Sequence, residues 1–237
     1  MSYFFIIVPA YNAGQWIEEC LDSIEQQNYP KECFKVIMID DCSEDDTWEK
    51  MQLSPFHKIK NEIHTGSVIQ NMINVTRIER PEMEDIMMVI DGDDPGLYGK
   101  SVLSYLDKVY RDYVWFTYGQ YKPLSGIYKD FCKTILNTDT YRKNEEWTIG
   151  QLRTWKAWLW NLVWKDDLQK DGKYFTCAGD RAFSYPMIEM AGTHIRFIER
   201  VLYIYNDLNP LNEFRLKPEE AEETAKYIVS KKEYKRL

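Results

Sequence analysis

An α/β fold with a central, mostly parallel sheet and helices on both faces is the architecture this sequence predicts, on three observations. Ile86–Ile90 is five apolar residues in a row with nothing polar to alternate against, the pattern of a strand buried on both faces. Tyr3–Val8 and Phe34–Ile39 are further β-prone apolar runs, each followed by turn chemistry and then by apolar residues at helical spacing. Strand–loop–helix units repeated ahead of a further strand imply right-handed crossovers and a ligand crevice outside the strands' carboxyl ends.

Each element has its own signal. Pro9 stops the first strand, and Asn12-Ala13-Gly14 makes the turn into a helix. There Ile17, Cys20, Leu21 and Ile24 share one face, Glu18, Glu19, Asp22 and Glu25 take the other, and Pro30 closes the helix. The second strand exits onto Asp40-Asp41-Cys42-Ser43, after which Glu44, Asp45 and Asp46 lead a helix through Trp48 and Met51; the helix dipole favours acids there. A weaker strand over 59–63 precedes His64-Thr65-Gly66-Ser67 and a helix over 68–78. After the strand at Ile86 come a helix over 100–112 and a strand over 113–118. Residues 151–164 carry Trp155, Trp158, Trp160 and Trp164 with Arg153 and Lys156 interleaved, at spacings that pair them on common helix faces. They read either as core packing or as a flat aromatic wall against which a sugar ring stacks. Asp180 falls at or just before a helix start, where an N-cap is one reading. Strands over 195–199 and 201–205, a turn over 209–212 and a solvated terminal helix over 218–232 complete the chain.

Composition narrows the function. The 237 residues fit one large α/β domain or one with a small appendage, and no apolar run approaches the length of a membrane span. A net charge of −8 and a pI near 5.1 argue against a nucleic-acid partner, which draws its affinity from clustered Lys and Arg. Cys20, Cys33, Cys42, Cys132 and Cys177 are scattered and never at metal-ligand spacing, as expected of reduced thiols in a cytoplasmic compartment. A strand beginning near residue 3 leaves no room for a signal peptide.

The chemistry gathers at the strand exits. Asp91, Asp93 and Asp94 crowd within four residues after the strand at Ile86, with Gly92 leaving room for the bend. They repel one another and are costly to desolvate, so either a cation holds them or they form a solvated turn. Hard oxygen ligands at an open sheet edge suit Mg2+ or Mn2+. Asp40 and Asp41 leave a second strand towards the same edge, and turn propensity explains two such exits less well than one.

Ile6-Ile7-Val8-Pro9-Ala10-Tyr11-Asn12, then Val36-Ile37-Met38-Ile39-Asp40-Asp41-Cys42-Ser43, then Ile90-Asp91-Gly92-Asp93-Asp94 resemble, in order and spacing, the nucleotide-sugar half of the GT-A fold inverting glycosyltransferases of family two. The resemblance extends through Gly179-Asp180 to about residue 207. It implies a GT-A domain over 1–215, with a nucleotide-sugar half (1–98) and a smaller acceptor half (99–215), followed by a C-terminal helix and tail over 216–237. It implies that Pro9, Tyr11 and Asp41, with Asp40 beside them, cradle the base and ribose. Asp91 would face the ribose and metal-bound water, Asp93 would ligate the metal bridging the diphosphate, and Asp94 would lie near the donor sugar. Asp180 would be the catalytic base, with Arg153, Trp155 and Trp158 towards the acceptor. Two departures stand out. The family's Asn-x-Gly and Ala-Arg-Asn become His64-Thr65-Gly66 and Ile69-Gln70-Asn71, so Gln70 replaces a cation near the donor; and Gly179 precedes Asp180 where the family has Glu.

The expected activity is metal-dependent, inverting transfer from a nucleoside diphosphate sugar, UDP favoured, to a hydroxyl of a glycan or other acceptor. A sugar nucleotidyltransferase would carry an Arg- or Lys-containing Gly-rich loop after its first strand, and Pro9–Gly14 holds neither cation. Gly-x-Gly-x-x-Gly and Gly-Lys-Ser/Thr signatures are also missing. A non-catalytic carbohydrate-binding module on the same fold is the remaining alternative, separable by assay.

Overall fold

The computed structural model describes residues 1–127, 132–144 and 146–237. Its strands are β1 (Phe4–Ala10), β2 (Phe34–Asp40), β3 (His57–Lys60), β4 (Ile86–Val89), β5 (Gly96–Leu97), β6 (Phe116–Pro123), β7 (Thr154–Lys156), a small hairpin of β8 (Gln169–Lys170) and β9 (Lys173–Tyr174), and β10 (Ile195–Tyr205). The helices are α1 (Ile17–Glu25), α2 (Thr47–Leu53), α3 (Val68–Glu79), α4 (Val102–Tyr110), α5 (Tyr141–Asn144), α6 (Ala157–Asn161), α7 (Gly179–Ala191), α8 (Glu213–Leu216) and α9 (Pro218–Ser230). Among the described residues, eight strands form one sheet in the order β3-β2-β1-β4-β7-β6-β10-β5.

β1 lies between β2 and β4, parallel to both, and β3 extends the parallel half. Successive residues of these apolar strands face opposite sides, so one run feeds two cores. Phe4, Ile6, Val8, Met38 and Met88 pack with α1, α2 and α4 on one face; Phe5, Ile7, Ile39, Met87 and Val89 pack with α3, α6 and α7 on the other. That is why these runs show no polar alternation.

Three expectations about elements change. Residues 151–164 are not one helix: β7 fills the slot between β4 and β6, antiparallel to both, before the short α6 begins. Open backbone on two neighbouring strands outweighs the helical spacing of the Trp residues. The strands expected over 195–199 and 201–205 are one strand with a register shift between Ile198 and Tyr203. The strand expected from Tyr113 starts later, at Phe116, because Tyr113 is exposed in a left-handed turn (φ 55°) that ends α4.

The chain's two halves interlock in this sheet, since β5 pairs with β10 at its far edge. The terminal helix buries Ala221, Ala225 and Ile228 against the core, and Tyr234 N–H donates to Glu189 of α7 at 2.9 Å, so residues 216–237 pack on the body. Among the described residues no helix is long and apolar enough to cross a membrane.

Candidate active site

The turn leaving β4 is built against the end of β1. Ile90 N–H donates to Ile7 O (3.0 Å) and Gly92 N–H to Pro9 O (2.9 Å). A Cβ on Gly92 would come within 2.8 Å of Ala10 Cβ and 3.0 Å of Pro9 O, so glycine is required by this close approach. The carboxylates on either side then diverge. Asp94 is 1% exposed and held inward, accepting from Tyr203 Oη (2.7 Å) and Asn206 N–H (2.7 Å). Asp93 is half-buried and accepts from Asn209 Nδ2 at 2.5 Å; Asp91, also half-buried, accepts from Gln151 Nε2 at 3.0 Å.

Electrostatically the turn is an unbalanced cluster. Burial, then repulsion from Asp93 and Asp180, pushes the Asp91 carboxyl up to about 6, against the opposing pull of Arg153 and Gln151. Burial also raises Asp93, and burial with the charges of Asp93 and Asp91 raises Asp94 well above the usual carboxylate range. The buried Cys20 thiol, 3.6 Å from Asp91 O, is raised by burial and by the same three acids. Such a field attracts a cation.

The second acidic exit is put together differently. Asp40 is fully buried on β2, with Oδ1 accepting from Ser43 N–H (3.1 Å) and Lys60 Nζ 3.6 Å from Oδ2. Asp41 is 2% exposed and collects four donors: Asn61 Nδ2 (2.7 Å) and Thr65 N–H (3.0 Å) on Oδ1, Thr65 Oγ1 (3.0 Å) and Gly66 N–H (2.9 Å) on Oδ2. His64 lies 3.1 Å from the same carboxylate, and its ring stacks on Tyr11 with centroids 3.8 Å apart. The loop after β1 is tied to the same region, Asn12 N–H donating to Ser43 Oγ and Gly14 N–H to Asp45. Pro9 pairs with Ile39 in the parallel ladder, which puts it between the two acidic exits. Gln70 is a half-buried residue in the first turn of α3, its N–H capped by Ser67 Oγ at 3.3 Å.

Asp180 is the second residue of α7 and not its N-cap, a place taken by Ala178 at φ 52°. Its Oδ2 accepts from Arg153 Nη1 at 3.1 Å and its Oδ1 from Arg181 N–H at 2.9 Å. Gly179 sits against the first turn of α3; its Cβ would meet Ile69 and Val68 at 3.3 Å, so a longer residue there would push the two helix starts apart. Ser67 Oγ donates to Phe175 O (2.7 Å) and draws the segment before α7 to the same place.

The acceptor-side expectation splits. Arg153 stands at the site, paired with Asp180. Trp155 and Trp158 do not. β7 runs antiparallel to β4, Thr154 opposite Met88 and Lys156 opposite Ile86, so the chain leaves the acidic edge as it passes Trp155. Trp155 is 0% exposed beside Phe183, and Trp158 packs edge-on to Trp115 (5.0 Å) with its backbone N–H donating to Met83 O, at the opposite end of β4. Trp155 is a core position and Trp158 is half-buried against the same core, away from the acidic edge, which corrects the sugar-stacking alternative. Asp94 is likewise turned into protein bonds and away from a donor sugar. Gln151, Tyr203, Asn206 and Asn209 surround the acid turn and were not singled out from the sequence; the run of Asn after the last strand, which read only as a turn, was the available signal.

The donor chemistry suits a hard divalent ion. Among the described residues no group of three or more His, Cys, Asp or Glu is placed to hold a metal, so Asp91 and Asp93 could supply only part of a coordination shell. Mg2+ and Mn2+ sites of one or two carboxylates completed by phosphate oxygens and water fit that description.

Comparison with known proteins bears on the fold that carries this site. Residues 5–94 match the family described as glycosyl transferase family 2. The chain is 26% identical over 164 residues to the poly(ribitol-phosphate) beta-glucosyltransferase of Bacillus spizizenii, a match covering 65% of this chain and 25% of that protein. Over 47 residues it is 47% identical to the poly(ribitol-phosphate) beta-N-acetylglucosaminyltransferase TarS of Staphylococcus aureus, covering 20% of this chain and 8% of TarS. These matches thus span 25% or less of the relatives' lengths. Among solved structures, S. aureus TarS 1–349 in complex with UDP superposes with a TM-score of 0.69 at 20% identity, covering 96% of this chain and 64% of that one. The mannosyltransferase PcManGT from Pyrobaculum calidifontis, in complex with GDP-Man and Mn2+, gives 0.66 at 19% identity, covering 98% and 65%. At such identities the likeness establishes the fold, which is GT-A, as the three motifs imply.

Proposed function

We propose that this chain, whose residues 5–94 are a glycosyl transferase family 2 segment on a GT-A fold, transfers a sugar from a nucleoside diphosphate sugar, UDP-linked by preference, to a hydroxyl of an acceptor, with inversion. The supporting observation is that Gln151 and Arg153, two residues apart, hold Asp91 and Asp180 at one edge with Asp93 beside Asp91, and that the charge of Asp180 is felt at Asp91. Parallel-sheet spacing sets neighbouring exits in the order β2-β1-β4 about 5 Å apart and the outer two about 10 Å, the scale on which one nucleotide spans all three. The polyol-phosphate glycosyltransferases among the relatives make a hydroxyl-rich polymer or glycan the acceptor class to try first.

Each side chain then has a task. Asp41 orders the loop from Asn61 to Gly66 through its four donors, and Tyr11 with His64 offers flat aromatic surface beside it for a base. Asp93 and Asp91 are the residues that would hold Mn2+ or Mg2+, and such an ion supplies positive charge where the leaving diphosphate accumulates negative charge. Asn209 and Gln151 fix those two carboxylates. Asp180 accepts the acceptor hydroxyl's proton as that oxygen bonds the anomeric carbon and the carbon–oxygen bond to the diphosphate breaks on the other side.

The test is a thermal-shift panel of UDP, GDP and dTDP and their sugars, with and without Mn2+, followed by product analysis with the stabilising donor and polyol or glycan acceptors. A ligand bound only by the native state raises the melting temperature by mass action. Stabilisation by one nucleotide family and its dependence on Mn2+ are expected; no shift with any nucleotide would remove the proposal.

A further inference from the structure

The residues leading into β7 hold two of the site's carboxylates at once. Gln151 donates to Asp91, and Arg153, two residues on, donates through Nη1 to Asp180 Oδ2 at 3.1 Å. The charge of Arg153 also reaches Asp91, where it opposes repulsion from Asp93 and Asp180. A guanidinium carries five N–H donors, and the bond to Asp180 is the one hydrogen bond the Arg153 side chain makes among the described residues. That side chain is only 13% exposed, against 26% for Asp180. A largely enclosed guanidinium with most of its donors unspent is suited to a multidentate anion, because its planar fork matches phosphate oxygens in pairs.

The same ion pair bears on Asp180. Both of its carboxylate oxygens are engaged, Oδ2 by Arg153 and Oδ1 by Arg181 N–H, so an acceptor hydroxyl meets Asp180 already occupied while the pair stands. We infer that Arg153 is a positioning residue with two successive partners: it holds Asp180 in the ligand-free protein and passes to the donor's diphosphate when the donor binds, releasing Asp180 to act. The guanidinium stays protonated throughout. The availability of Asp180 Oδ2 is thereby tied to donor occupancy. The inference rests on the nucleotide-sugar reading above.

Calorimetric binding of UDP against uridine, and GDP against guanosine, in Mn2+, separates the possibilities for wild type, Arg153→Gln and Arg153→Lys. Arg153→Gln is expected to weaken the diphosphate at least about tenfold and leave the nucleoside unchanged. Arg153→Lys should recover part of the loss, since it keeps the charge without the fork. In transfer assays the donor KM should rise by a larger factor than kcat falls. Equal loss for nucleoside and diphosphate would make Arg153 a packing residue and overturn the inference, as would unchanged diphosphate binding in both variants. Should Arg153→Gln fail to fold, the diphosphate-selective loss is read from Arg153→Lys. Wild type that binds none of the four ligands is a separate result, and it defeats the nucleotide-sugar reading itself.

Discussion

Two strands of this sheet end in acids, and the protein uses the two ends differently. At the exit of β2 the charge is consumed: Asp41 accepts from four donors and Asp40 is sealed in β2 with Lys60 nearby. At the exit of β4 the charge is left over, with Asp91 and Asp93 each fixed by one side-chain amide, both raised by burial and Asp91 also by neighbouring charge. The first end is a wall made with carboxylates and the second is a socket whose charge suits a cation. What separates them is the supply of donors, from the Asn61 to Gly66 loop after β3 in one case and from the single amides of Gln151 and Asn209 in the other.

Beside the socket, Asp180→Asn should cause the largest effect, a drop in turnover on the order of 100-fold or more with donor affinity held within about twofold, measured by steady-state transfer and calorimetry. Wild-type turnover in this variant would remove Asp180 as base. On the wall side, Asp41→Ala strands four donors in a half-buried loop and should destabilise the fold by about 2 kcal/mol, or roughly 4–8 °C in Tm. A Tm within a degree of wild type would show that the loop does not depend on it.

The socket makes a prediction of opposite sign. A carboxyl raised to about 6 when folded, above its ordinary value, binds more protons in the native state than in the unfolded one. Its contribution to stability is therefore fully present below the unfolded pKa near 4 and is lost as pH rises through about 6. Asp91→Asn should remove this loss, raising Tm at pH 7.5 and leaving it nearly unchanged at pH 4.5; about 1–2 kcal/mol is the expected scale, allowing for the residue's partial exposure. A lower Tm than wild type at pH 7.5 would contradict it. The smallest effect belongs to Trp158→Phe, remote at the other end of β4: transfer within about twofold of wild type and stability down by about 1 kcal/mol. A selective rise in acceptor KM would return Trp158 to the acceptor site.

The parallel half of the fold was legible because its signal is local. Uninterrupted apolar runs at β1, β2 and β4 mean burial on both faces, and Pro30 follows the end of α1; Pro9, expected to stop β1, instead lies inside it, paired with Ile39. The acidic residues were equally visible, since three carboxylates in four residues need an explanation wherever they lie. Their division of labour was not. Whether Asp94 faces a ligand or Tyr203 depends on a strand 109 residues away, and whether Asp41 is open or saturated depends on how the 61–66 loop folds back. β7 was missed for the same reason: three residues carry little propensity, and only the gap between β4 and β6 makes them a strand.

The most direct measurement is the Mn2+ dependence of UDP affinity, by calorimetry, in wild type, Asp93→Ala and Asp41→Asn. If the β4 exit holds an ion against a diphosphate and the β2 exit only shapes the wall, Mn2+ tightens UDP at least about tenfold in wild type and in Asp41→Asn, and has no effect in Asp93→Ala. Undiminished tightening in Asp93→Ala, or its loss in Asp41→Asn alone, would place the cation at the wrong end of the site and contradict the division between the two exits.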